Sequence, residues 1–200
     1  MKILIPLLIA SLILFSCRWN QSSDGKNLID LKHSNIKKFH SFLTKFGNKE
    51  LPFELDSITI SEIHETKNYY KIDNKELKSF LPIADVSEMA GSKPSYIFYC
   101  MFKLSVDDDK IGLVYLYILN PEIPYDDIVD KIILAMYSPD DKFLNYKELA
   151  LYELHSNAYI LKTCVVDENF VLNQRVLAIT EDEYGTPKTE IHFKCEKIDR

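Results

Sequence analysis

The chain has 200 residues, 46% of them hydrophobic and 12% aromatic, and its 24 basic and 30 acidic side chains give a net charge of −6. That length suits one domain around one core, and this much apolar surface excludes disorder for most of the chain, because burial offsets the entropy of ordering. The negative balance disfavours nucleic acid, whose phosphates select basic patches.

Met1 to Ser16 carry one base, Lys2, no acid, and an almost unbroken apolar run from Ile3 to Phe15. A membrane-spanning helix needs about 20 apolar residues. This run is shorter, is interrupted by Pro6 and meets the polar segment Arg18 to Ser23, so it reads as a secretory signal. Its end, Leu14-Phe15-Ser16-Cys17, resembles the lipobox of bacterial lipoproteins, whereas Leu14 breaks the small-residue pattern of an ordinary cleavage site. The resemblance implies a diacylglycerol on the Cys17 thiol, cleavage before Cys17 and acylation of the new amine with a chain such as palmitate. Each buried methylene contributes ~0.8 kcal/mol and one chain alone is marginal, so two or more chains give stable membrane anchoring. The expected address is the bacterial cell envelope, at the outer membrane, with the periplasmic or surface face left open. Residues 17–29 would form a polar tether, with Trp19 solvated or at the headgroup level, and 30–200 a single α+β domain. Loss of residues 1–16 removes only Lys2, leaving 23 basic against 30 acidic residues and a net charge of −7.

Beyond the tether, Ile36, Phe39, Phe42, Leu43 and Phe46 fall three or four apart, one face of a helix over about 30–46, with Gly47 placed as its left-handed cap. Residues Pro52 to Ile60 alternate like a strand. Asn74 is placed to cap a short helix through Leu77 and Phe80, ended by Pro82. Tyr96 to Leu104 and Ile111 to Leu119 are nearly continuous apolar runs, as central strands buried on both faces require. Ile132 to Tyr137 is a third. Tyr159 to Val166 and Phe170 to Thr180 flank the turn Asp167-Glu168-Asn169, where Asn tolerates positive φ. Last, Ile191, Phe193 and Cys195 alternate with Glu190, His192, Lys194 and Glu196, an edge or half-exposed strand with its charges outward. Short turns between strands predict an antiparallel β meander with one or two N-terminal helices packed against it, an α+β class. No internal repeat has solenoid period.

The mature segment, roughly 36–195, resembles the small uncharacterised lipoproteins common in Bacteroidetes. The resemblance rests on the aromatic helix ending in Phe46-Gly47, on Leu51-Pro52-Phe53, on Lys75 to Leu81 and on Ile128 to Ala135 followed by alternating strands. It implies no catalytic residue. The strip after Cys17 lacks the acidic cluster associated with surface export in such bacteria.

Reactive chemistry finds little purchase in the sequence. His33, His40, His64, His155 and His192 have no metal-ligand spacing, and no nucleophile elbow, phosphate-cradling loop or dinucleotide fingerprint occurs. Asp107-Asp108-Asp109 lacks the spaced ligands and glycine of a calcium loop, and Glu181-Asp182-Glu183 reads as a charged turn. Cys100, Cys164 and Cys195 contain no CxxC and read as buried thiols. In a simple meander Cys164 and Cys195 lie two strands apart, about 10 Å, beyond the ~7 Å that a disulfide spans. Leu113, Tyr115 and Tyr117 share one strand face, which Tyr99 joins in one of the possible registers. That cluster is either a platform for peptide or sugar or core beneath the amphipathic helix, and the helix favours core. The sequence therefore points to a lipid-anchored, non-catalytic binding or accessory module without cofactor or metal, taking a protein or glycan ligand. The alternative is a small envelope hydrolase with a site assembled from dispersed residues.

Overall fold

The computed structural model describes residues 35–62, 69–81, 96–107, 109–119, 128–182 and 184–198. Cys17, the signal segment, Trp19 and the tether, His33, His64, Pro82 and Asp108 lie outside these described residues. Compactness divides the chain after Lys38. Of the first unit only helical residues 35–38 are described; the unit that begins at Phe39 holds the sheet.

Helix α1 (35–43) delivers Phe39, Phe42 and Leu43, followed by Phe46, into the core. Gly47 does not cap it. Gly47–Asn48 form β1, a two-residue strand parallel to β4 (Tyr96–Asp107). β2 (Phe53–Leu55) is followed at once by α2 (Ser57–Glu62), which replaces the strand expected to reach Ile60. The reason is local: Asp56 Oδ1 accepts the Thr59 N–H at 2.7 Å and the Asp56 carbonyl accepts Ile60 N–H at 3.0 Å. A side-chain cap of this kind outweighs the β preference of Ile58, Thr59 and Ile60. β3 (Tyr70–Lys71) pairs with β4, and α3 (Asn74–Phe80) takes Asp73, not Asn74, as its N-cap, with Oδ1 accepting from Lys75 and Glu76 N–H.

The remaining strands are β5 (Lys110–Leu119), β6 (Ile128–Tyr137), β7 (Phe143–His155), β8 (Ala158–Val166), β9 (Val171–Glu181) and β10 (Pro187–Lys197). From β4 to β10 each pairs antiparallel with the next. The parallel β1–β4 pair makes the ten-stranded sheet mixed, which corrects the expectation of a purely antiparallel meander.

Two cores flank the sheet. Leu113, Tyr115, Ile133, Ala135 and Tyr137 face α1 and α3, while Val114, Leu116, Ile132, Leu134 and Met136 face the second core with Phe53, Leu55 and Ile60. Both faces are covered, which is why these strands read as continuous apolar runs. A bulge between Cys100 and Phe102 changes the face on which even-numbered side chains of β4 point. Phe98 and Cys100 belong to the first core, Leu104 and Val106 to the second.

The sheet forks at β7. A register shift after Ile132 leaves Leu149 as the extra residue of β7, and β8 pairs with β7 only as far as Lys162. Past the fork, Cys164–Val166 pair with β2 instead. The carbonyls of Glu148 and Leu149 are satisfied by Gln174 of β9, whose Nε2 donates to them at 2.8 and 3.0 Å.

Candidate functional site: an open apolar sheet face

Strand register carries rows of side chains across the far half of the sheet. On one face the first row is Ile128–Leu154–Tyr159–Ile179, the next Tyr152–Leu161–Leu177–Ile191, the third Thr163–Arg175–Phe193, and the fourth Val165–Asn173–Cys195. Tyr152 and Leu161 touch the second core, so this face begins as core wall. It then runs out from under its cover. Phe193 is 78% exposed and Ile191 47%, with Ile128, Val165 and Leu154 between 37% and 39%. Tyr159, Leu177 and Ile179 are half-buried, and the Tyr152 and Tyr159 rings meet edge to face at 5.7 Å. This places the apolar side of β10 in solvent, although alternation alone suggested charges outward and Ile191, Phe193 and Cys195 inward. Both sides of β10 are solvated: along the strand only Glu190 and Glu196 are half-buried, and every other residue is exposed. Contiguous exposed apolar area of this kind marks an interaction surface on a folded protein.

Where the face meets its cover, a cleft of about 290 Å³ opens between the β2–α2 corner and β8–β9. Glu54, Asp56 and Ser57 line one side, and Leu161, Thr163, Arg175 and Leu177 the other. A guanidinium beside two carboxylates and two hydroxyls can orient a polar group of a ligand whose body rests on the apolar rows. A larger cleft, about 630 Å³, lies beside β1 and β4; its lining holds Lys49, Glu50, Lys103 and Ser105 but no histidine, cysteine or tyrosine.

The sequence-selected residues fall elsewhere. Tyr115 is wholly buried, its ring edge-on to Phe46 at 5.2 Å and its hydroxyl 3.0 Å from that of Tyr137. Tyr137 in turn donates to the Phe80 carbonyl. Tyr117 is half-buried on the same face as Leu113 and Tyr115, and Tyr99, opposite Leu116, points to the other core. Tyr115 is therefore core, the outcome that the amphipathic helix favoured, while the half-buried Tyr117 ring packs on Tyr96 and Phe98 and the cluster forms no shared platform with Tyr99. Burial pushes the Tyr115 and Tyr137 phenols well up, so both stay neutral.

The described cysteines, Cys100, Cys164 and Cys195, are free, and Cys164 and Cys195 lie on opposite faces with β9 between them. Cys100 and Cys164 are buried, and burial pushes each thiol up to about 12. Cys195 departs from the expectation of a buried thiol: it is exposed on β10. Among the described residues no group of three His, Cys, Asp or Glu is close enough to hold a metal. Asp182 takes the N–H groups of Thr186 and Tyr184, which hold its carboxyl low, so Glu181-Asp182 open a turn. His40 and His192 are exposed, and His155 Nε2 lies 2.7 Å from Glu153 Oε1, two positions along β7. No protein-family model, curated protein or solved structure matches the chain.

Proposed function

We propose that this chain is a lipid-anchored, non-catalytic binding module of the bacterial cell envelope, and that the open face of β7–β10 receives its protein or glycan partner. The observation that carries the reading is Phe193, an aromatic side chain displayed to solvent at the rim of a continuous apolar surface. Aromatic anchors on a rigid sheet bind with little loss of side-chain freedom. The buried thiols and phenols, all shifted toward their neutral forms, supply no nucleophile and weigh against the hydrolase alternative. The lipobox-like Leu14-Phe15-Ser16-Cys17 supports the anchor. At the outer membrane, such an anchor would confine the domain to a surface and raise its effective concentration toward a neighbouring partner.

Two measurements test this. Metabolic labelling with a fatty acid should mark the wild-type chain and not Cys17→Ala, and an unlabelled wild type removes the anchor. Affinity capture from envelope extracts should enrich a component that Phe193→Asp and Leu177→Asp both lose and that a charge change on the opposite face of β10, Lys194→Asp, retains. Equal recovery with all three variants removes the face.

A further inference from the structure

β10 ends the strand order, and no described strand pairs with its outer edge. At the two ends of the β9–β10 ladder, Asp182 N–H donates to the Thr186 carbonyl and Ile198 N–H to the Phe170 carbonyl. Antiparallel residues alternate between turning both main-chain groups toward the neighbour and both away. Even-numbered residues of β10 thus face β9, and Thr189, Ile191, Phe193 and Cys195 aim their N–H and C=O groups out of the sheet edge. Such an edge is a template for another strand.

We propose that the occupant is a second copy of β10, antiparallel, with the two-fold axis at His192. Main-chain parity allows only pairings centred on a residue, not between two. Centred on His192, Lys188 faces Glu196 of the second copy and Glu190 faces Lys194 of the second copy, each twice by symmetry. On the other side Ile191 meets Phe193 of the second copy, in the main-chain hydrogen-bonded pairs that the outward N–H groups require. Shifting the centre to Ile191 opposes Lys188 with Lys194, and shifting it to Phe193 opposes Glu190 with Glu196. One register pairs every Lys and Glu on the even-numbered face with an opposite charge, and its neighbours do not. Within one copy Lys188 pairs along the strand with Glu190 at 2.5 Å and Lys194 with Glu196 at 2.9 Å, His192 lies 3.3 Å from Glu190, and Lys147 of β7 reaches Glu196 at 3.6 Å. The dimer joins two open apolar faces into one continuous sheet surface. It does not rest on the proposed binding role: a dimer without further partner upholds it, and a binding-competent monomer overturns it alone.

Sedimentation of the full chain in detergent tests it. The wild type should dimerise, and Lys188→Glu should weaken dimerisation on the order of tenfold by opposing like charges. The swap Lys188→Glu with Glu196→Lys should restore it. Phe193→Pro removes an N–H that β9 does not use, so it should abolish the dimer with the circular dichroism of the monomer kept. If Phe193→Pro fails to fold, the register is read directly: in a Cys195→Ser background, oxidised His192→Cys should link to its own counterpart, because non-hydrogen-bonded partners lie ~4.5 Å apart at Cα. A wild type that stays monomeric, or a swap that fails to rescue, overturns the pairing and leaves the edge to a strand from a different protein.

Discussion

Cys100 and Cys164 show how burial silences side chains that are reactive in water. Both thiols rise from 9.0 to about 12, with burial as the first cause in each and the Glu76 and Glu54 charges adding to it. The folded chain favours the neutral thiol, so the unfolded chain loses its protons first. Their stabilising effect is complete below about pH 9 and declines as pH rises toward about 12. The denaturant midpoint should therefore fall from about pH 9 upward, with the buried phenols adding to the decline above about pH 10; a flat midpoint over that range contradicts the assignment. At neutral pH, a thiol reagent should label Cys195 in the native chain and spare Cys100 and Cys164 until denaturant is added. The Tyr115–Tyr137–Phe80 chain is equally testable. Tyr137→Phe strands a buried hydroxyl and a carbonyl and should cost about 1–3 kcal/mol in equilibrium unfolding.

Among the elements, the fork between β7 and β8 depends on one side chain. Gln174→Leu keeps the volume but leaves the Glu148 and Leu149 carbonyls without their donor, with an expected loss of about 1–3 kcal/mol; Gln174→Glu, which cannot donate when ionised, should cost at least as much. Equal stability of wild type and Gln174→Leu in urea unfolding would show that those carbonyls are satisfied otherwise. The same region explains what the sequence hid. The bulge at Leu149 breaks the alternation of Phe143–His155 midway, so β7 presents no sustained period of two and went unread. β5 and β6 were legible because both faces are buried and composition alone declares it. α2 was misread since Ile58, Thr59 and Ile60 look like a strand unless Asp56 is recognised as a cap. In the turn before β9, Phe170 and not Asn169 takes positive φ, at 58°. There Asp167 Oδ1 accepts the N–H groups of Asn169 and Val171 at 2.8 and 2.9 Å, and this side-chain turn dictates the backbone.

At the scale of the whole molecule, alternation in β10 told which side chains share a face but not which face meets the core. That depends on which distant parts of the chain pack over the sheet, a long-range property absent from any local window. The tyrosines of β5 drew attention by residue type, while the open surface is made mostly of unremarkable aliphatic positions spread over β6–β10, with Tyr152, Tyr159 and, at the rim, Phe193. The central claim is that this rim meets a partner at the envelope, and photo-crosslinking in intact cells tests it most directly. A photoreactive phenylalanine analogue at position 193 should give a discrete adduct containing an envelope protein or glycan, while the same probe at position 194, on the opposite face of β10, should not. No adduct at 193 beyond the pattern at 194, or adducts containing only this chain, would contradict the binding role.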